Sequence, residues 1–198
     1  MLKVIEHKKY PDNYFMGCYK ISDDLVNAIL KWKDNNIHLG ERSVLQNKLS
    51  NDVSKVCMQW GIPNHLKAAP WDDYQKVLSS FFNKYFDRFN NARLMHGILE
   101  LEDYNLQHYR PSEGFYMWHK ENNGEPAVLR RHLVFMTYLT DTPNAGTEFM
   151  TQNITVPCER GVTLIWPAPW THTHRGQISL SHEKTIVTGW LSLKPTKD

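Results

Sequence analysis

The hydrophobic pattern of this chain changes its period near Gly97, and that change constrains the fold more than any other feature. Before Gly97, apolar residues recur at helical spacing in long stretches. After it come short β-branched or aromatic runs, which Gly, Pro, Asn and Asp separate. Many short strands that follow a helical block, without a strand–helix alternation, favour a mainly β, α+β fold. We therefore expect a jelly roll (double-stranded β-helix) buttressed by N-terminal helices.

Three helices are expected in the first half of the chain. Ser22 can cap a helix over 23–33. A second helical stretch is expected over 52–60, where Gly61 would end it. The clearest helix covers about 71–90, and its apolar stripe predicts a face packed against a sheet. The stripe consists of Tyr74, Val77, Leu78, Phe81, Phe82, Tyr85, Phe86 and Phe89.

The second half of the chain predicts strands. They are expected at 98–101, 105–109, 133–139, 154–156, 162–166 and 185–193, with a further strand at 114–118. No repeat, linker or low-complexity tract divides the sequence, so we expect a single domain over 1–198. In it, 1–96 would form mainly helical support and 97–195 the jelly-roll core.

Composition excludes several classes of protein. The 198 residues carry a net charge of +2 without any run of Lys or Arg, so nucleic acid is not expected as an obligatory partner. The charged N-terminus does not resemble a signal peptide, and no apolar stretch reaches membrane-spanning length. Cys18, Cys57 and Cys158 are odd in number and scattered, which favours free thiols over a disulfide framework. We therefore expect a soluble, cytoplasmic protein.

A candidate metal site begins at His119 and Glu121. An H-x-E pair is common by chance, but this one follows an apparent strand, and side chains two residues apart on extended chain share a face. Closure of a barrel could bring His174 to the same point. Two imidazoles and one carboxylate are the ligand set of non-heme Fe(II) oxygenases, which leaves coordination positions open. A surface histidine or a core histidine bonded to a backbone carbonyl would explain the same residues equally well.

Residues 105–193 resemble the catalytic core of the prolyl 4-hydroxylase group of 2-oxoglutarate- and Fe(II)-dependent oxygenases. Five motifs occur in the order of that family. They are 107–121, similar to the strand that leads into H-x-D; 131–141, similar to its R…Y-L-N strand; 144–149, similar to a shuffled Gly-rich turn; 157–162, similar to P-x-x-G-x; and 174–190, similar to the H-x-G and K-x-x-x-T-x-W ending.

The resemblance implies a role for eight residues. The implied iron ligands, which are also the catalytic residues, are His119, Glu121 and His174. The implied contacts of the co-substrate 2-oxoglutarate are Lys184, Tyr109, Tyr138, Thr188 and Trp190. Among these, Lys184 would pair with the C5 carboxylate as a compact point charge. For Tyr109 and Tyr138, the alternative of ordinary core aromatics with satisfied hydroxyls stays open.

Two choices and one departure accompany this assignment. His174 is preferred to His172 because it alone has the family's x-Gly and the ten-residue step to Lys184. Lys184 is preferred to Arg175 as the carboxylate anchor because Arg175 adjoins a ligand and would point to the other face of a strand. Glu121 stands where the group usually has Asp, which leaves metal binding expected and weakens the transfer of the substrate class.

The resemblance implies an Fe(II)- and 2-oxoglutarate-dependent dioxygenase that uses O2, with ascorbate as a supporting reductant. It would hydroxylate a prolyl residue in a peptide or protein and release succinate and CO2. Segments 121–130 and 43–52 would bound the substrate entrance. Two alternatives stay open: hydroxylation of a free amino acid or other small molecule, and a jelly-roll protein that binds metal without turnover.

Overall fold

The structure, a computed structural model, describes residues 5–46, 52–93 and 98–194. It contains two α-helices, four short 3-10 turns and eleven strands in these ranges. The α-helices are α1 (Asp23–Asn35) and α2 (Trp71–Arg88). The strands are β1 (Gly17–Lys20), β2 (Glu41–Gln46), β3 (Val53–Ile62), β4 (Leu99–Leu101), β5 (Tyr104–Tyr109), β6 (Arg131–Tyr138), β7 (Thr142–Phe149), β8 (Ile154–Cys158), β9 (Val162–Pro167), β10 (His174–Gly176) and β11 (Lys184–Leu193).

The strands form two antiparallel sheets. The larger sheet has the order β1-β9-β6-β11-β5-β3-β2, and β4 also pairs with β11. The smaller sheet has the order β10-β7-β8. Both are non-sequential, so distant parts of the chain meet side by side, as they do in a jelly roll. The predicted fold class, a mainly β jelly roll with N-terminal helices, is confirmed.

The first helix forms for the reason that the sequence predicts. The Ser22 hydroxyl accepts a hydrogen bond from the Leu25 N–H at 3.3 Å, which caps α1. Val26 and Ile29 are fully buried on its inner face. Spacing of three residues places them on one side of the helix, so the amphipathic pattern anchors α1 to the core.

The aromatic stripe of α2 packs on the larger sheet, as predicted. The ring of Phe135 on β6 lies 6.4 Å from the ring of Tyr74 and 6.1 Å from that of Phe82, measured between centroids. The Tyr74 hydroxyl also hydrogen-bonds that of Thr137 on the same strand at 2.7 Å. These contacts support the sheet from the side opposite to its functional face.

The helix predicted over 52–60 is wrong. This segment is β3, which pairs with β5 on one side and β2 on the other. Its side chains alternate between the two faces of the sheet, and Cys57 is fully buried. Pairing on both edges outweighs the weak local preference for a helix. Together with β1 and β2, this strand also makes the region before Gly97 less helical than predicted.

Three further differences lie near the site. The predicted strand over 114–118 is irregular chain with one isolated bridge, Lys55 to Phe115. The Gly-rich turn predicted at 144–149 is instead part of β7, although it contains residues typical of turns. Strands β1 and β10 were not predicted, because three or four residues give too little alternation to recognise.

Cys18, Cys57 and Cys158 are buried free thiols, as predicted. In the described ranges, the structure holds no helix with the length and apolar character that crossing a bilayer requires.

Candidate active site

His119, Glu121 and His174 converge into one cluster. One ligand atom from each residue lies within 4.8 Å of the others. Glu121 Oε1 is 3.4 Å from His119 Nε2 and 3.7 Å from His174 Nε2. The backbone creates this proximity, because His119 and His174 exchange two N–H···O=C bonds of 2.9 Å in an isolated antiparallel bridge. The predicted convergence of two distant chain segments therefore occurs.

Both imidazoles present the same nitrogen to the carboxylate. Nδ1 of His119 lies 3.0 Å from the Met117 carbonyl oxygen, and Nδ1 of His174 lies 2.9 Å from that of His172. Since a carbonyl oxygen can only accept, each Nδ1 donates a proton, and the neutral ring keeps the Nε2 lone pair. That tautomer is the one in which a histidine can bind a metal through Nε2.

The second oxygen of Glu121 is also held in place. Trp190 Nε1 donates to Glu121 Oε2 at 2.9 Å, and the Arg131 guanidinium lies 3.3 Å from the same atom. Arg131 in turn stacks on the Trp190 indole at 3.4 Å and pairs with Glu102. The longer side chain of Glu, compared with Asp, is thus braced on the side away from the histidines.

The electrostatics favour the ligand forms of these groups. Burial alone would raise the pKa of Glu121, but the neighbouring His119, with His174 and Arg131, lowers it to about 2. Burial and the neighbouring His119 lower the pKa of His174 to about 3. Near neutral pH the cluster therefore offers one carboxylate and a neutral buried imidazole.

The donor set fits an Fe(II) ion. The 3.4 and 3.7 Å separations can be bridged by one ion with bonds of about 2.1 Å. Two imidazoles and one carboxylate leave positions open for further ligands, whereas a structural zinc site would close them with a fourth protein ligand. Within the described ranges, no Cys or further acidic residue joins the three.

The cluster opens into a cavity of about 470 Å³. One face of the larger sheet forms much of its wall, with alternate residues of β11, β5 and β3 pointing inward. Phe115 closes the wall near the metal cluster, because its ring stacks on that of His119 at 3.6 Å. Ser43, Leu45, Asn123 and Val128 also line the cavity, so residues of both predicted entrance segments contribute. Residues 47–51 of the first entrance segment lie outside the described ranges.

Lys184 lines the same cavity as a buried cation. Its Nζ donates to the Ala145 carbonyl at 3.1 Å and lies 5.1 Å from the centre of the Tyr109 ring. Among the described residues, no carboxylate lies within ion-pair distance of it. Burial lowers the pKa of Lys184 from 10.5 to about 8. A Cβ at Gly176 would lie 3.3 Å from Nζ, so glycine there preserves the space around the ammonium group.

The remaining predicted contacts take different positions. Tyr109 lines the cavity and donates from its hydroxyl to Gln107 Oε1 at 2.6 Å. Thr188 also lines it and donates to the Phe135 carbonyl. Tyr138 lies behind the wall: its hydroxyl bonds that of Thr147, and Thr147 faces the cavity. Their contact with a co-substrate stays a prediction.

The structure also places the two rejected candidates. His172 is buried away from the cluster, with Nε2 2.8 Å from the Tyr14 carbonyl oxygen. Arg175 pairs with Glu148 at 2.6 Å and stacks on Trp118, outside the cavity. His174 belongs to the cluster and Lys184 lines the cavity, whereas His172 and Arg175 do neither; the roles of His174 and Lys184 stay predictions.

Three residues at the site were given no role on the basis of the sequence. Arg131 was noted only as part of a motif, yet it braces Glu121. Lys55 and Gln59 line the cavity, but they lie in the segment that was predicted as a helix. An alternating pattern of inward residues along that segment could have revealed them.

The fold and the cluster together define a class. A jelly roll that holds two imidazoles and one carboxylate at the end of an open cavity is the architecture of a non-heme Fe(II) oxygenase. The sequence model of the 2OG-Fe(II) oxygenase superfamily matches residues 104–192. The match covers slightly less than half of the chain and includes all three residues of the cluster; together with the shared fold it supports a 2-oxoglutarate-dependent dioxygenase.

Solved structures share the fold over nearly the whole chain. The viral collagen prolyl hydroxylase of Paramecium bursaria Chlorella virus 1, in its 2-oxoglutarate complex, has a TM-score of 0.66 at 18% identity and covers 91% of this chain and 97% of its own. A Pseudomonas putida prolyl-4-hydroxylase gives 0.66 at 14% identity, with 93% and 95% covered. A Trichoplax adhaerens prolyl hydroxylase, bound to a hypoxia-inducible factor peptide, gives 0.67 at 15% identity, with 91% and 84% covered. No curated protein matches the sequence.

Proposed function

We propose that this protein hydroxylates a prolyl residue of a peptide or protein, using Fe(II), O2 and 2-oxoglutarate and releasing succinate and CO2. One observation carries the proposal: the Lys184 ammonium group is buried in the same cavity as the cluster of His119, Glu121 and His174. A buried cation that lacks an anionic partner within the described ranges is costly unless a ligand supplies one. A dicarboxylate that chelates the metal at one end can supply that anion at its other end.

In this proposal, His119, Glu121 and His174 hold the iron. When bound, the iron supplies the dioxygen chemistry, which no side chain can perform. Lys184 binds the far carboxylate of 2-oxoglutarate, and the Tyr109 ring packs beside that ammonium group. Thr188 lines the same wall and contributes to the shape of the co-substrate pocket, and Tyr138 positions Thr147 from behind.

The role proposed for Trp190 differs from a co-substrate contact. Its indole N–H donates to Glu121, so it positions the carboxylate ligand together with Arg131. Phe115 lies flat on His119 and keeps water from that side of the cluster. These residues keep the ligand atoms in one arrangement, as the residues around metal ligands commonly do.

The substrate class rests on the structural neighbours. Two of the three are named as prolyl hydroxylases without a bound peptide, and the Trichoplax protein is bound to a peptide fragment. At 14 to 18% identity they share the fold, and a shared fold does not by itself carry a substrate. They support a proline-containing peptide as the first substrate to test. Ascorbate is proposed only as a reductant that sustains turnover.

The test separates turnover from the choice of substrate. Purified protein with Fe(II), ascorbate and 2-oxoglutarate should produce succinate, and His119→Ala or Lys184→Ala should abolish it. Lys84→Ala removes an exposed cation from α2 and should leave the rate unchanged. Mass spectrometry should then find one added oxygen on proline-containing peptides and none on matched peptides with alanine. Succinate formation that survives in Lys184→Ala would contradict the anchor, and oxygen on the alanine peptides would contradict the substrate class.

A further inference from the structure

A second buried lysine lines the cavity, and the proposed use of 2-oxoglutarate does not account for it. Lys55 on β3 has only 6% of its surface exposed. Its Nζ donates to Gln59 Oε1 at 2.8 Å, and among the described residues it forms no ion pair with a carboxylate. Burial lowers the pKa of this ammonium group, although the neighbouring Cys57 and Glu121 oppose the shift.

Lys55 and Lys184 lie on different parts of the wall. Lys184 is on β11, Lys55 is on β3, and β5 runs between these two strands. Neighbouring strands are about 4.8 Å apart, so the two lysines are separated by two spacings, or about 10 Å, across the sheet. Their ammonium groups also have different partners, Gln59 Oε1 for Lys55 and the Ala145 carbonyl for Lys184, so the two cations occupy separate places on the wall.

Lys55 is nevertheless close to the metal cluster. Its backbone pairs with that of Phe115 in an isolated bridge, and the Phe115 ring stacks on His119. Leu45, which is paired with Lys55 in the register of β2 and β3, lines the entrance. Lys55 therefore occupies a part of the wall that adjoins both a residue of the predicted entrance segment and the residue stacked on the cluster.

The neighbouring hydrogen bonds make this wall a surface of donors. Tyr109 donates to Gln107 Oε1, Gln107 Nε2 donates to Gln59 Oε1, and Lys55 donates to the same oxygen. The acceptors of both glutamines are thus used inside the wall. Lys55 and Gln59 both line the cavity, so the ammonium group and the Gln59 amide bring N–H donors to this wall. Such a set matches an anionic oxygen acceptor better than an ammonium or an apolar group.

We propose that Lys55 and Gln59 bind a carboxylate of the primary substrate, so that the hydroxylated prolyl unit carries an acidic group beside it. This inference rests on the proposed function and narrows its substrate. A carboxylate can come from two sources: the free C-terminus of a terminal or single proline, or an acidic side chain that follows proline in a peptide. Both present the same pair of oxygens, so the experiment must separate them.

The experiment measures binding of two matched probe pairs. One pair is N-acetyl-glycyl-proline as the free acid and as the amide; the other is N-acetyl-prolyl-glutamate amide and N-acetyl-prolyl-glutamine amide. Each is titrated by calorimetry, without oxygen, into protein loaded with Fe(II) and 2-oxoglutarate. We expect the acid of at least one pair to bind about tenfold to a hundredfold more tightly than its neutral partner, because a charged hydrogen bond is lost in the latter. The pair that shows the preference identifies the source of the carboxylate.

Variants assign the preference to the proposed residues. Lys55→Met keeps the apolar stem and should bring the acid-to-neutral ratio close to one, with Lys55→Gln as a second variant if the first does not fold. Gln59→Leu should reduce the ratio partly. Lys84→Met, on the exposed face of α2, is the matched control and should keep the wild-type ratio. In all of them the affinity for 2-oxoglutarate should stay unchanged.

Three results would overturn the inference. The first is equal binding of acid and neutral probes, or no binding of any probe. The second is a wild-type ratio in the Lys55 variants. The third is a loss of 2-oxoglutarate affinity in Lys55→Met, which would make Lys55 a co-substrate contact. Failure of the proposed function looks different, because then 2-oxoglutarate does not bind to wild-type protein in its own titration, and the probe ratios are measured on protein with Fe(II) alone.

Discussion

Trp190 offers the sharpest test of how the cluster is held together. Its indole N–H is a donor to Glu121 Oε2 at 2.9 Å, while the other carboxylate oxygen faces the two histidines. Trp190→Phe removes this donor and keeps an aromatic ring for Arg131 to stack on. The carboxylate then depends on Arg131 alone, which lies at the longer distance of 3.3 Å.

The expected magnitude follows from the charge of the acceptor. A hydrogen bond to a charged group contributes about 1.5 to 3 kcal/mol. Because Arg131 still restrains the carboxylate, we expect the lower end of that range, which corresponds to metal affinity about tenfold weaker. Mn(II) is a convenient probe, because electron paramagnetic resonance counts the free ion directly during a titration.

Two comparisons make the Trp190 result decisive. Trp32→Phe changes another tryptophan, which packs on Trp71 in the distant helical layer, and should leave Mn(II) affinity as in the wild type. The unfolding free energy of metal-free Trp190→Phe, measured in urea, shows how much of the effect is general destabilisation. If Trp190→Phe binds Mn(II) as tightly as the wild type, the indole does not position Glu121, and the account of the braced carboxylate is wrong.

Three further predictions concern the core and the cavity wall. Burial lowers the pKa of Lys184 from 10.5 to about 8. Between these two pH values the unfolded chain therefore keeps a proton on Lys184 that the folded protein has lost. The unfolding free energy of wild type relative to Lys184→Met should therefore rise across that window, by at most about 3 kcal/mol, and a difference independent of pH in urea titrations would exclude the shift. Phe135→Ala should cost about 3 to 5 kcal/mol in urea unfolding, because the Tyr74 and Phe82 rings lose their contact with β6; a cost below about 1 kcal/mol would contradict this packing. Tyr138→Phe should cost about 1 to 2 kcal/mol through the lost hydroxyl contact with Thr147, and a neutral effect in the same assay would show that the bond contributes nothing.

The two helices of the structure could be predicted from the sequence because their signals are local. The Ser22 cap and the apolar spacing of 23–33 and 71–90 depend only on residues within a few turns of one another. The jelly-roll class could be predicted for a similar reason, because each strand has a local signal of its own, a short apolar run between turn residues. The strand boundaries for β5, β6, β9 and β11 differ from prediction by at most two residues.

The errors have non-local causes. Whether 52–60 forms a helix or a strand depends on β5 and β2, which lie elsewhere in the sequence and provide both of its edges. The short strand β10 exists because Phe149, Glu148 and Thr147 pair with it. In the same way, the bracing of Glu121 by Trp190 joins positions that are 69 residues apart. The sequence therefore indicated the candidate ligands but not Trp190 and Arg131, the residues that position Glu121.

The least predictable strand is also the one that carries the proposed substrate contact. Candidate ligands such as His119 and His174 could be singled out in the sequence because they lie within motifs that resemble a known family. Lys55 and Gln59 belong to no motif, and only the pairing of β3 beside β5 turns them towards the cavity. The proposed division assigns substrate preference to residues of β3 and 2-oxoglutarate binding to β11 beside the cluster. The variants of Lys55 test that division directly, because they should alter substrate preference and leave 2-oxoglutarate binding intact.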